Sequence, residues 1–173
     1  YRKLEEAFLW MADEPQPGQW CVDLGGAPGG WTYTALRRGA RVIAGDRAAL
    51  EPPVRGHRAL TMVEGNAFTY QPPLDRVPVD WLLSDVICEP GRALDQLKRW
   101  LQNGWCRRVV MTVKFKGQTG YGMLADVRAA LVAARCPRWR IKHLHHNKNE
   151  VTVMAVMPPP LAAPGRGSRR EPG

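Results

Sequence analysis

The chain has 173 residues, 45% hydrophobic and 24% charged, with 25 Lys and Arg against 16 Asp and Glu for a net charge of +9. A chain of that length forms a single domain that buries roughly 70% of its unfolded surface without disulfides, and it contains no run of eighteen apolar residues to span a membrane. The basic balance points to a polyanionic partner, nucleic acid ahead of a membrane surface.

Residues 1–12, "YRKLEEAFLWMA", set Leu4, Phe8 and Met11 on one face and Glu5 and Glu6 on the wetter side, the pattern of a helix. "DEPQPG" breaks it. "QWCVDL" predicts a short apolar strand running into the glycines, and "GWTYTALRRG" a helix stopped by Gly39. "ARVIAGD" predicts a buried strand ending on Asp46, "EPPVRGH" a loop, and "ALTMVEGN" a strand with its turn. "QPPLDRVPV" is a proline-broken connection into "DWLLSD", a strand ending on Asp85. "GRALDQLKRWLQNG" predicts an amphipathic helix with Leu94, Leu97 and Leu101 inward. "RRVVMTVKF" is a strand carrying Lys114 near its end, and "YGMLADVRAALVAA" a second long helix. "RWRIKHLHH" and "EVTVMAVM" predict two closing strands joined by the turn "NKN". Residues 158–173, rich in Pro, Ala, Gly and Arg, have the composition of a disordered tail, leaving 1–157 as the folded domain.

Strands alternating with helices imply an α/β fold: a mostly parallel sheet with helices on both faces and one antiparallel strand at or near the edge. Ligands in such sheets bind at the carboxyl ends of the strands, near the topological switch point. Asp23, Asp46, Asp85 and Lys114 all fall at or near predicted strand ends, so they are expected to converge on one rim. Helix capping accounts for any one of these acids but not readily for all of them.

The four cysteines, Cys21, Cys88, Cys106 and Cys136, are scattered without a C-x-x-C pair, as reduced thiols of a cytoplasmic protein would be. No signal peptide is visible. The chain opens on Tyr1 rather than Met, as a fragment or trimmed product would. His143, His145 and His146 are the other metal candidates; on a strand the first two point one way and the third the other, so no metal is expected.

The stretch Val22 to Thr32, "VDLGGAPGGWT", carries the first ligand signal. Dinucleotide sites use G-x-G-x-x-G, but Ala27 stands where the second glycine would be, and Pro28 removes an N–H from any pyrophosphate cradle. No Gly-Lys-Ser/Thr follows, which excludes a P-loop. What remains is bare backbone for close approach without a phosphate nest, which suits a nucleoside joined to an amino acid, as in S-adenosylmethionine. Asp46 is placed to accept from ribose hydroxyls and Asn66 to meet the adenine edge. A tight strand-to-helix turn with no ligand is the plainer alternative.

"DLGGAPGGWT", "LLSDVICEP", "VVMTVKFKG" and "NEVTV", in this order, resemble the FtsJ-like ribose 2′-O-methyltransferases. "KLEEAF", "PGGWTY" and "WLQNGWCR" look like the RlmM-like branch, bacterial enzymes that methylate a cytidine ribose of large-subunit ribosomal RNA. The resemblance runs from Lys3 to about Met157. It implies a Rossmann-like seven-stranded methyltransferase fold, S-adenosylmethionine as cofactor, ribosomal RNA as partner, and a Lys-Asp-Lys-Glu tetrad of Lys3, Asp85, Lys114 and Glu150. It also implies cofactor contacts from Gly25, Ala27, Pro28, Gly29, Gly30, Trp31, Asp46, Asn66 and Asp85, with Asn66 replacing the family's usual acid and weakening binding. Lys116, two residues on, competes with Lys114 for the lysine position, and the motif favours Lys114 directly after "TV". Enzymes of that branch carry RNA-binding domains ahead of this region, so substrate choice is left open; a monomer is expected.

The tetrad has a chemical logic. A ribose 2′-oxygen attacks the sulfonium methyl in line, so the protein must mainly orient two reactants and help remove a proton. Lysine is nearly all protonated at its reference pKa of about 10.4, and a second lysine or burial disfavours the charged form. Asp85 and Glu150 push the other way and would hold Lys3 and Lys114 in register. A protonated Lys114 that steers the 2′-oxygen while water takes the proton is the other possibility. An unrelated reading is a degenerate methyltransferase fold serving as an RNA-binding or ribosome-assembly module. Arg37, Arg38, Arg41, Arg107, Arg108, Arg138, Arg140 and Lys142 are candidate phosphate contacts, and Trp31 either packs in the core or stacks on a base.

Overall fold

The computed structural model describes residues 1–52, 54–115 and 120–159. The expected tail, from residue 160 on, and Lys116 lie outside the described residues. Seven strands form one sheet: β1 (Trp20–Leu24), β2 (Arg41–Asp46), β3 (Leu60–Glu64), β4 (Val79–Ser84), β5 (Cys106–Lys114), β6 (Arg138–Lys142) and β7 (Glu150–Val156), in the order β3-β2-β1-β4-β5-β7-β6. All neighbours are parallel except β7, which runs antiparallel to both β5 and β6. The helices are α1 (Arg2–Met11), α2 (Gly30–Leu36), α3 (Pro90–Gln102) and α4 (Met123–Ala133).

Strand alternation sorts the core into two layers. Val22 and Leu24 of β1, Val109, Met111 and Val113 of β5, and Val151 and Val153 of β7 face α3 and α4. Cys21, Trp81, Leu83, Val110 and Met154 face α1 and α2. The predicted apolar faces meet these layers: Leu4, Phe8 and Met11 of α1 are buried in one, and Leu94, Leu97 and Leu101 of α3 in the other. Phe8 sets its ring edge-on against fully buried Trp81 at 5.3 Å, while the Arg38 guanidinium covers it at 4.9 Å. That contact lays α1 across the sheet and decides where its first turn falls. Gly39, at φ 78°, ends the turn that follows α2.

Two expectations are corrected. β6 ends at Lys142, so His143, His145 and His146 follow the strand rather than lie on it. The cause is local: Asn147 Oδ1 takes the Leu144 N–H at 2.7 Å, and the Leu144 side chain is fully buried, which turns the chain before it reaches β7. Asp23 does not reach the rim. It sits inside β1 at 1% exposure, beneath the glycine turn, with Thr32 Oγ1 donating to it at 2.6 Å.

Phe8→Ala is expected to destabilise the fold by about 3–5 kcal/mol, since it leaves a cavity under α1. A fall in the urea midpoint with an unchanged m-value checks this.

Candidate active site

Four charged side chains meet on the α1 side of the sheet, where β4 and β5 end and β7 begins. In β5, Val110, Thr112 and Lys114 share one face; in β7, Glu150, Thr152 and Met154 do. Antiparallel register sets Lys114 opposite Glu150 and Thr112 opposite Thr152. Asp85 is the first residue past β4, and α1 brings Lys3 to the same spot from above.

The contacts form a closed ring. Lys3 Nζ lies 2.8 Å from Asp85 Oδ2 and 2.9 Å from Glu150 Oε1. Lys114 Nζ lies 2.6 Å from Asp85 Oδ1 and 3.3 Å from Glu150 Oε2, and it donates to the Asp85 carbonyl at 3.2 Å. Two ammonium groups and two carboxylates cancel, which makes four half-buried charges tolerable together. Two neutral groups brace the acids: Thr112 Oγ1 donates to Asp85 Oδ1 at 2.7 Å, and Asn147 Nδ2 to Glu150 Oε1 at 3.1 Å. Asn147 is itself held, its Oδ1 accepting from Leu144 N–H and Thr152 Oγ1.

Burial opposes ionisation throughout, and the partners overcome it. It pushes the Asp85 carboxyl up, but hydrogen bonds from Lys114, Lys3 and Thr112 hold it below the usual carboxylate range. Glu150 is likewise drawn down, by Lys3 and Lys114, against its burial. Burial lowers Lys3, yet its bonds to Asp85 and Glu150 leave it raised above its ordinary value. Asp23 is the opposite case. Burial pushes its carboxyl up to about 7, Thr32 opposes that only in part, and its Oδ1 is buried without a partner among the described residues.

A cleft of about 590 Å³ opens beside the ring, above the switch point between β1 and β4. Gly25, Ala27, Pro28, Asp46, Asn66 and Asp85 line it, and Lys114 stands at its inner end. Gly25 takes φ 75° and faces Val86, so any side chain there would run into that residue. Asp46 ties the turn to β2, its Oδ2 accepting from Ala27 N–H at 3.0 Å and its Oδ1 from Ala48 N–H at 2.9 Å. Asn66 Oδ1 accepts from Phe68 N–H at 3.0 Å, a local turn that fixes the side chain at the cleft wall. A second cleft of about 560 Å³ lies at the other end of the sheet, against Pro78, Leu101, Cys106 and Met157, away from the charged ring.

Three expected cofactor contacts stand outside the cleft lining. Gly29 packs on Val54 as the residue before α2, Gly30 approaches the backbone of Tyr1, and Trp31 is buried in the α1–α2 core layer. Trp31 thus packs rather than stacks on a base. The braces Thr112 and Asn147 went unread in the sequence. Thr112 had a signal, lying two residues before Lys114 on the same strand face. Among the described residues, no three His, Cys, Asp or Glu side chains gather as a metal site, and the cysteines are free.

A family model for FtsJ-like methyltransferases matches residues 2–133. The ribosomal RNA large subunit methyltransferase M of Alkalilimnicola ehrlichii is 35% identical over 172 residues, covering 95% of this chain and 46% of that protein. The protein of the same name from Xylella fastidiosa is 35% identical over 161 residues, covering 88% and 45%. The chain thus spans about half the length of the curated relatives it matches. A protein described as a hemolysin from Lactococcus lactis shares the fold with a TM-score of 0.69 at 18% identity, over 89% of this chain and 85% of that one. A Plasmodium falciparum protein described as a ribosomal RNA methyltransferase does so at 0.67 and 12%, over 90% and 94%. Magnesium protoporphyrin IX methyltransferase from Synechocystis, solved with bound SAM, does so at 0.64 and 16%, over 91% and 79%.

The pH profile of stability separates the ring from Asp23. Asp85 and Glu150 contribute fully above their ordinary values of 3.8 and 4.5 and lose that contribution as pH falls through their lower folded values. Lys3 contributes below 10.5 and loses its share as pH rises past that. Asp23 runs the other way: ionising it in the fold costs stability increasingly between pH 3.8 and about 7. Urea midpoints of Asp23→Asn should therefore flatten between pH 4 and 7 while keeping the parent's loss in stronger acid.

Proposed function

The chain belongs to the FtsJ-like methyltransferase family, and from that premise we propose that it carries the catalytic site of an S-adenosylmethionine-dependent RNA ribose 2′-O-methyltransferase. Its substrate is large-subunit ribosomal RNA, at a cytidine ribose. The observation that carries the proposal is the closed ring of Lys3, Asp85, Lys114 and Glu150 at the inner end of a nucleoside-sized cleft.

The cleft suits the cofactor. Its volume is that of a small-molecule site. Gly25 lets the turn close against Val86 at the cleft wall, the Asp46 carboxylate stands at the end of β2 for ribose hydroxyls, and Asn66 stands at the wall for the adenine edge. When bound, the cofactor supplies a methyl group on a sulfonium, already a good leaving group. The chain supplies position. Asp85 belongs to both cleft and ring, so it fixes Lys114 relative to the bound methyl. Lys114 meets the 2′-hydroxyl and holds its oxygen in line for attack. With the cofactor bound, the ring would hold Lys114 against the 2′-oxygen, and the hydroxyl proton would leave to water. Lys114 Nζ donates to Asp85 Oδ1 at 2.6 Å and, over a longer 3.2 Å, to the Asp85 carbonyl, and the longer bond is the one it would give up to the 2′-oxygen. A donor so placed suits the steering role. Lys3 and Glu150 close the ring behind it.

A second reading is a catalytically degenerate fold kept as an RNA-binding or ribosome-assembly module. Asn66, where the family has an acid, is what favours it.

Lys114→Ala is expected to lower methyl transfer by about 10²-fold while cofactor binding by calorimetry stays near the parent's. Unchanged turnover would sink the catalytic assignment, and no cofactor binding by the parent at millimolar concentration would leave the module. Asn66→Asp keeps the local turn and adds a charged acceptor, so cofactor affinity should rise about fivefold, roughly the 1 kcal/mol by which a charged acceptor exceeds a neutral one.

A further inference from the structure

β6 forms one edge of the sheet and carries Arg138, Arg140 and Lys142 at alternate positions, hence on one face. They lie opposite Val156, Met154 and Thr152 of β7. Two residues further along β7, on the same face, stands Glu150 of the ring. The cations therefore form a row that ends beside the site, with steps of about 6.6 Å, a spacing suited to neighbouring phosphates on an extended strand. Trp10 of α1, 42% exposed, flanks the row: Lys142 Nζ lies 3.7 Å and the Arg140 guanidinium 5.7 Å from its ring centroid. The aromatic surface holds both cations in place without cancelling their charge.

Several other basic groups are already paired with acids. Arg38 pairs with Glu5 and Glu14, Arg108 with Asp13, and Arg107 reaches Asp80 at 3.8 Å. Arg37 and Arg41 lie over Tyr33 and Trp20 on other parts of the surface. Among the described residues, no carboxylate forms an ion pair with Arg138, Arg140 or Lys142. Uncompensated charge is costly to a fold and useful to a polyanion, and two guanidinium forks in the row match phosphate oxygens.

We infer that the β6 face, flanked by Trp10, is a track for the phosphates of a single-stranded RNA segment, leading its target ribose to the ring. This rests on the RNA-substrate reading and says which surface serves it. The track gives affinity and direction, not sequence choice.

The test is fluorescence anisotropy with a labelled, unstructured 20-nucleotide RNA, titrated across KCl concentrations. It compares the full chain with R138Q/R140Q/K142Q, and with the charge-matched control K98Q/R128Q/R135Q on α3, α4 and the turn after α4. Calorimetry with S-adenosylmethionine runs alongside. The track variant should bind at least tenfold more weakly at 50 mM salt. Its log–log salt slope should be shallower by about two, for three lost single-strand contacts at roughly 0.7 each. The control should stay near the parent, and every variant should keep the parent's cofactor affinity. An unchanged slope in the track variant overturns the proposal, as does an equal loss in the control or a parent that binds no RNA. If the track variant keeps RNA but loses binding to labelled poly-glutamate, the face belongs to an acidic protein partner instead. Absent cofactor binding with RNA binding intact counts against the methyl-transfer reading alone.

Discussion

A single carboxylate, Asp85, accepts from two lysines that lie far apart in the chain, Lys3 and Lys114, and the arrangement of the site follows from it. The ring's side chains are 7–25% exposed, too buried for any member to stand unpaired. Removing one partner of a fully buried pair costs about 3–5 kcal/mol; partial exposure reduces that figure here but leaves its sign. The fold must therefore deliver all four groups together. α1 does so through the Phe8–Trp81 contact, and β5 and β7 through their register.

Asp85 also lines the cleft, so the cleft proposed for the methyl donor and the charged ring proposed to meet its acceptor share a wall. Asp46 repeats that economy at the other side, holding the glycine turn through Ala27 N–H while facing the space a ribose would enter. Asp23 has a different task. It lies under the same turn with its charge disfavoured, and its bond from Thr32 couples β1 to α2 below the ligand surface.

Much of this was legible in the sequence. The faces of α1 and α3 could be read from spacing, the mostly parallel sheet from the alternation of strands and helices, and the four ring residues from the resemblance to the FtsJ-like family. What escaped were features fixed by contacts distant in the chain. Nothing in "RWRIKHLHH" announces that Asn147 will capture the Leu144 amide and end β6. Thr112 and Asn147 read as ordinary polar residues until the register sets them against Asp85 and Glu150. The basic residues looked alike as candidate phosphate contacts; only the fold reveals that Arg38 is already engaged by Glu14, 24 positions away, and that Arg140 is not. Whether Trp31 packs or stacks stayed open in the sequence because motif position says nothing of burial.

The reversed direction of β7 has a bearing on biosynthesis. Because that strand runs backwards, its first residue meets the last of β5, and Lys3 reaches an acid 147 positions downstream. Contacts of such long range form late, after most loop-closure entropy has been overcome. On a ribosome still translating the helix before β6, the chain would hold two ammonium groups against one carboxylate, with nothing to brace the second lysine. Competence for chemistry would then arrive with the final strand, giving the maturing protein a built-in check that its sheet is complete.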